Sequence, residues 1–600
     1  MSGGAWLWEL ARSWRLDGLG ALFAALIALV GAAAAVYSPA YLAQERYRRE
    51  PGRRYALLFA LFLGGMLGVA AAADLVVFLV CWEVMTLASY ALVAHDSADA
   101  EASRAAFKYF VMTHAGTACL LLAVVVLGAR GGFPFDELPG TLHEMAAREP
   151  VTLHVVLGLL FVGFATKAGL WPFGDWLPDA HPAAPAPVSA LLSGVMVKLG
   201  LYGFLRVFVW VLPAADPGAA AAWGMALLAA GTLSAVIGGA AAAAALDAKV
   251  LLAYSSIAQS GLVAAGTGAA LVLARAHPAL AALALLGAVF HVAGDAFVKS
   301  LLFLNAGALQ YRTGSRRLED MGGLLRAMPV TGWTALAGCL AIAGFPPLTA
   351  FVSKWLLLQS TVLSATPFVA VAGLAVLVAS LLSVLYAVKL FGAAFLCREM
   401  REGNLEVPAP MRAAQLALAA GVLALGLAPG AWLRLFAGAL GGAPVLAAAS
   451  PAAVWSAAGV LFTSGAYAPA LLLACGGWVA LLALLALGDG AARRGPAWLG
   501  GLPGAPLRPH PSGLFSVLRG DLGRAYPRLR FAAVPLPPWL PGALDPGRWL
   551  YRPLLAAGRG ASRLLSRAHT GLPHAYIAWQ LLGAVALVLL LVLRRRFLAP

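Results

Sequence analysis

Apolar residues run through this chain in long blocks, without the strict alternation of half-buried strands. Fourteen blocks stand out, at 18–38, 54–72, 74–95, 108–128, 152–180, 187–212, 221–243, 250–272, 281–308, 329–360, 367–396, 411–437, 466–488 and 576–594. Most have the roughly 20 residues needed to cross a bilayer. The pattern predicts an all-α, polytopic transmembrane bundle of about 14 helices. Gly and Ala are abundant inside the blocks, as expected where membrane helices pack backbone to backbone. Two blocks are interrupted. One carries Lys167 and then Pro172, Pro178, Pro182, Pro185 and Pro187; the other carries Pro346 and Pro347 and then Lys354. Proline removes a backbone donor and breaks a helix. In a bilayer such breaks survive only when buried or lining a polar cavity, and paired broken helices point to an ion site.

The polar residues between the blocks predict orientation. Lys and Arg cluster after odd-numbered blocks, as in Arg46, Arg48, Arg49, Arg53 and Arg54, then Arg312, Arg316, Arg317 and Arg326. The loops after even-numbered blocks are nearly bare. The positive-inside rule then puts both termini on the outer side of the membrane. By the same parity the stretch 489–575 lies on the cytoplasmic side. It holds twelve Arg among many Pro and Gly. From Trp549 to His569 it mixes apolar and basic residues at helical spacing, which predicts a short lateral amphipathic helix. A solvated basic linker is the competing reading.

Composition agrees with a membrane protein. Of 600 residues 62% are hydrophobic and 11% charged, with mean hydropathy +0.85. Soluble domains carry about 25% charged residues, so secreted, cytosolic and nucleic-acid-binding classes are excluded. Met1–Asp17 lacks a signal-peptide layout, so the first block is expected to be retained. The five cysteines, Cys81, Cys119, Cys339, Cys397 and Cys475, are scattered and form no CxxC. There is no iron–sulfur, haem or zinc signature, no nucleotide loop and no nucleophile elbow. No cofactor or metal is therefore expected on this chain, and redox chemistry would sit on a partner.

Lysine usage carries the sharpest chemistry. Only seven of the 42 basic residues are Lys, and five of these, Lys167, Lys198, Lys299, Lys354 and Lys389, lie well inside apolar blocks. Arg is permanently charged, whereas a buried Lys can release its proton. Each charged Lys at a helix centre costs roughly 2.5–3.5 kcal/mol, so five approach a whole fold's net stability. Pairing and hydration must offset that. Proton transfer is the reading that uses them; snorkelling or structural pairing is the alternative, strongest for Lys389 near a block end. Glu83 lies mid-block, placed to hold a nearby Lys charged. His291, Asp295 and Lys299 follow at intervals of four, on one helical face one turn apart. Imidazole, carboxylate and amine in that order suit a proton relay. His114, inside the fourth block, is a further possible member. Asp74, Asp175, Asp179 and His181 lie near block ends or breaks, where they would line an entrance or cap helices.

The segments WEVMTLASYALVA (82–94), 164–206, VLLAYSSIAQSG (250–261), FHVAGDAFVKSLLFLNAGAL (290–309) and LAIAGFPPLTAFVSKWLLLQ (340–359) resemble the antiporter-like subunits of respiratory complex I. Within that superfamily, KYFVMTHAGTACLL (108–121) is most similar to the large membrane subunit of energy-converting hydrogenases, the hydrogenase-4 component B or formate hydrogenlyase subunit 3 type. The resemblance implies two inverted five-helix repeats, 54–212 and 221–396, each with one broken helix. They would stand between an N-terminal helix and basic loop (1–53), C-terminal helices (411–488), the basic segment 489–575 and a last crossing (576–600). It implies Glu83 and Lys167 as the first half-channel pair, Lys198 and Lys299 as connecting lysines, and Lys354 as the exit. A terminal Lys resembles the distal complex I subunit, whose lateral helix would correspond to 548–570. Its implied partners are other membrane subunits and a peripheral redox arm of hydrogenase or dehydrogenase type, in a prokaryotic inner membrane. A subunit of a Na⁺/H⁺ antiporter, moving Na⁺ as well, shares the same core and stays open. So do a vestigial membrane scaffold and an inorganic-carbon uptake subunit. Two departures matter. Asp295 stands where many relatives have His or Asn, which would lock Lys299 in a salt bridge. The N-terminus is about two helices short of the usual pattern.

Overall fold

A computed structural model of the chain describes residues 13–47, 50–96, 98–364, 366–396, 406–447, 546–553 and 555–558. Residues up to Ala525 form one compact unit and Tyr526–Pro600 a second. In the first, the helices are α1 (Gly18–Leu42), α2 (Gly52–Ala71), α3 (Leu75–Val93), α4 (Ala100–Gly128), α5 (Leu138–Arg148), α6 (Pro150–Ala168) and α7 (Leu177–Ala183). They continue as α8 (Ala186–Ala215), α9 (Pro217–Ala244), α10 (Ala248–Leu273), α11 (Pro278–Thr313), α12 (Pro329–Ala343), α13 (Thr349–Val362), α14 (Pro367–Leu396), α15 (Ala409–Leu427) and α16 (Pro429–Ala439). Strand pairing among the described residues is limited to isolated bridges. Eleven of these helices are long and apolar enough to span, so the chain is a multi-pass helical membrane protein.

The first twelve apolar blocks all become helix; those at 466–488 and 576–594 lie outside the described residues. The block at 152–180 stops as a helix at Ala168, and 329–360 splits at Gly344. Both breaks end on a left-handed glycine, Gly169 (φ 72°) and Gly344 (φ 88°), followed by a cis Trp171–Pro172 or Pro346–Pro347 bond. The block at 411–437 also splits, at Ala428 ahead of Pro429. In the second unit, Gly547–Tyr551 forms a π-helical turn where the lateral helix is expected; most of residues 548–570 lie outside the described residues.

The core is built around α8, α10 and α11, whose spanning windows are each 94% buried. Helices α9 and α10 pack along Gly231, Gly238, Gly261 and Gly268. A Cβ on any of these would meet the opposite backbone within 2.3–2.7 Å, the close approach that small residues allow in membranes.

The loops separate by parity. At one end, Arg46 (after α1) pairs with Asp96 and Asp99 (after α3). At that same end Arg316 (after α11) pairs with Asp247 (after α9) and donates to Pro182 O (2.6 Å). At the other end Arg15 pairs with Asp136 (after α4), and His143 on α5 bonds Ala215 O at the end of α8. The alternation read from charge is thus the alternation of the helices.

One buried Arg anchors the second end. Arg206 on α8 donates to Asp17, which also caps α1 at Gly20 N (2.8 Å). Burial raises the proton affinity of the Asp17 carboxyl, but Arg206 outweighs this and holds its pKa below the ordinary value. Its stabilising share is therefore present at neutral pH and is lost as the pH falls through that lowered value. Asp17→Ala leaves Arg206 unpaired and removes the cap. We expect a loss of about 3–5 kcal/mol, read as a lower melting temperature in detergent.

Candidate functional site

Lys167 occupies the last turn of α6, where the glycine break stops the helix. Its ammonium donates to Thr86 Oγ1 (2.8 Å) on α3 and Tyr109 OH (3.4 Å) on α4. It also lies over the Trp82 and Tyr109 rings, at 5.6 and 5.7 Å, a cation–π setting. Glu83, the expected partner, pairs instead with His114 Nε2 at 3.2 Å. The other Glu83 oxygen, Oε1, is buried without a hydrogen-bond partner among the described residues. Glu83 and His114 keep about 30% of their side chains exposed, so this pair sits at the flank of the bundle, next to the Lys167 cage.

Lys198 follows a π-helical turn, Leu192–Met196, within α8. Its ammonium donates back to Ser193 O (2.8 Å) and across to Asp295 Oδ2 on α11 (2.5 Å). Both side chains are almost fully buried, at 2% and 4%. Asp295 therefore meets Lys198, and not Lys299 as its i,i+4 spacing suggests. Lys299 turns to α10, donating to Ser255 Oγ and Leu252 O. His291 turns to two other helices: Nδ1 bonds Ser353 Oγ (2.7 Å) on α13 and Nε2 bonds Gln259 Oε1 (2.8 Å) on α10. The three residues of the expected relay share one face of α11 but bond outward, to α8, α10 and α13, and not to one another. Gln259 continues the network to Tyr386 OH (2.6 Å) on α14. Asp295, His291, Gln259 and Ser353 line a cavity of about 10 Å³, close to the room one water needs.

Lys354 is on α13, after the second break, and reaches back to it. Its ammonium donates to Ile342 O (2.8 Å) at the end of α12. The break frees these carbonyls, and the negative end of a helix favours a cation. Lys389 is different. It donates to Ala243 O (2.7 Å), a backbone carbonyl at the end of α9, a contact that suits the structural-pairing alternative.

The residues that sequence reasoning missed are the hydroxyl and amide partners: Thr86, Tyr109, Ser255, Gln259, Ser353 and Tyr386. The signal for some was visible. SSIAQS (255–260) is a polar run inside a spanning helix, where each polar group needs a partner.

Residues 72–383, more than half of the chain, match the family described as NADH:quinone oxidoreductase/Mrp antiporter, TM. All the motif segments quoted above fall inside that range. Hydrogenase-4 component B of Escherichia coli (strain K12) is 36% identical over 418 residues, 68% of this chain and 61% of that one. The chain thus spans less than two thirds of that relative. An uncharacterized protein of Mycobacterium tuberculosis (strain ATCC 25618 / H37Rv) is 35% identical, covering 97% of this chain and 92% of that protein. Among solved structures, the membrane-bound sulfane sulfur reductase, an archaeal respiratory membrane complex, has a chain with TM-score 0.62 and 27% identity. That match covers 72% of this chain and 82% of the other. Motifs, fold and relatives agree: the chain belongs to the NADH:quinone oxidoreductase/Mrp antiporter family of membrane proteins.

Proposed function

We propose that this chain moves protons across the membrane as one subunit of a redox-driven complex of the hydrogenase-4, formate hydrogenlyase or complex I type. The observation that carries the reading is a set of four lysines, Lys167, Lys198, Lys299 and Lys354, all buried within the spanning bundle. Among the described residues, only Lys198 of the four has a carboxylate in contact. The others rest on hydroxyls, backbone carbonyls and rings. A hydroxyl accepts from an ammonium and donates to a neutral amine. Thr86 and Ser255 therefore suit both protonation states of their lysines.

The path runs from Glu83 and His114 to Lys167, then Lys198, Asp295 and Lys299, then His291 and Lys354. Asp295 is the switching charge. It holds Lys198 now and lies one turn from Lys299, so a swing between them would favour release of the proton it leaves behind. Redox centres belong to partner subunits, a peripheral arm beside other membrane subunits. The segments 54–212 and 221–396 act as two repeats with one broken helix each. The basic loop end faces the cytoplasm of a prokaryotic inner membrane, with the chain termini outside.

The test is dye-monitored proton uptake in membrane vesicles carrying the assembled complex. Lys167→Ala and Lys354→Ala are each expected to abolish uptake while partner redox turnover partly survives. Unchanged uptake in both variants would overturn the reading. Quenching that needs Na⁺ and no reductant would instead assign the chain to a Na⁺/H⁺ antiporter.

A further inference from the structure

His181 has no role in the path just described. It lies on α7, directly after the first break, and is fully buried. Neither ring nitrogen has a hydrogen-bond partner among the described residues. Buried polar groups are nearly always bonded, so this exception needs a reason. The ring stacks on Phe303, with centroids 4.6 Å apart and planes inclined by 23°. A phenyl ring would fill that space and stack equally well, without two unsatisfied nitrogens.

The surroundings supply the reason. Phe303 is four residues after Lys299 on α11, so the imidazole lies beside the turn that carries that lysine. Lys249, Lys299 and Lys198 all act on His181 electrostatically. Lys249 is nearest the basic loop end. It opens α10, which Asp247 caps, and Asp247 pairs with the partly exposed Arg316 (3.1 Å). The buried Lys249 ammonium donates to Ala184 O (2.8 Å), just past α7. The other charged groups near α7 are engaged elsewhere: Asp179, on α7 itself, and Asp175 are both held by Lys108 from α4.

We propose that His181 is the transfer residue between Lys249, at the basic loop end, and Lys299 and Lys198 in the core. It is then the intake arm of the relay, an inference that rests on the proton-conducting reading above. A protonated Lys249 gives its proton to one ring nitrogen and becomes a neutral amine. The imidazolium passes a proton to the neutral amine of Lys299 and returns to neutral. Only N–H bonds form and break, and one charge moves inward. The lysine charges nearby oppose a lasting imidazolium, which keeps the ring a carrier and not a trap.

The test uses native membrane vesicles with the assembled complex, in wild-type, His181→Phe, His181→Ala and Lys167→Ala forms. Proton uptake is measured per redox turnover, with and without added imidazole or thiophene, a ring of similar size that does not titrate. His181→Phe is expected to assemble and to slow uptake at least tenfold. His181→Ala is expected to be slow and to recover with imidazole but not with thiophene. Wild-type uptake in His181→Phe, or equal rescue by thiophene, would overturn the proposal and leave only a packing role. Should His181→Phe fail to assemble, the imidazole rescue of His181→Ala decides. If Lys167→Ala blocks uptake while His181→Phe does not, the intake role alone fails; if Lys167→Ala and the Lys354→Ala variant of the preceding test both conduct normally, the proton-conducting reading falls and His181 with it.

Discussion

Replacing Asp295 with Ala is expected to stop proton uptake and to destabilise the core by about 3–5 kcal/mol. Among the described residues Asp295 is the only carboxylate bonded to Lys198, and both are buried. Without it the Lys198 ammonium keeps Ser193 O but loses its counter-charge. A lone buried charge is far costlier than the pair was worth. The double variant Asp295→Leu with Lys198→Met separates stability from transport. An apolar pair of similar volume is often neutral or better, so its melting temperature should return near wild type. Uptake should not return, because neither a switching charge nor a proton carrier is left. Thermal melts in detergent and dye quenching in vesicles read the two effects. Wild-type uptake in Asp295→Ala would remove Asp295 from the path.

The second large effect is expected at Gly344. Its φ of 88° is a conformation that β-branched residues essentially avoid. A Cβ there would also lie 3.3 Å from Lys354 Cδ and 3.5 Å from its Nζ. Gly344→Val should therefore cost upwards of about 1–2 kcal/mol in backbone strain and push the ammonium off Ile342 O. Uptake should fall tenfold or more. Gly344→Asn is the control, since Asn visits the left-handed region at low cost; it should melt close to wild type. If Gly344→Val conducts normally, the contact of Lys354 with the end of α12 has no part in transport.

Much of the fold was legible in the order of residues. Hydropathy is a local property, and a spanning segment must satisfy its own backbone, so its limits show in the sequence around it. That is why the first twelve blocks reappear as helices. The charge alternation was legible for the same reason, and the pairing of Arg46 with Asp96 and of Arg316 with Asp247 bears it out. The breaks were announced by Pro172, Pro346 and Pro347, but their position is set one step earlier, by Gly169 and Gly344. Proline marks where a helix cannot continue; a left-handed glycine gives the chain its exit.

The site was legible as a set of residue types and not as a set of contacts. Lys167, Lys198, Lys299 and Lys354 stood out because an ionisable group in an apolar block is costly. The side-chain partners of the first three come from helices 44 to 97 residues away, as in Lys299 with Ser255 and Lys198 with Asp295. Spacing along α11 suggested that Asp295 would hold Lys299. A one-turn neighbour offers a bond worth only tenths of a kcal/mol at a surface. In the buried core, each charge takes the partner that satisfies it best, whichever helix brings it. By itself, then, the sequence determined the spans, their alternation, the breaks and the titratable residues, because those follow from burial and local geometry. Only the tertiary structure decided that Asp295 belongs to Lys198, that Glu83 faces His114 and that His181 lies unbonded near three lysines, because those follow from which helices meet.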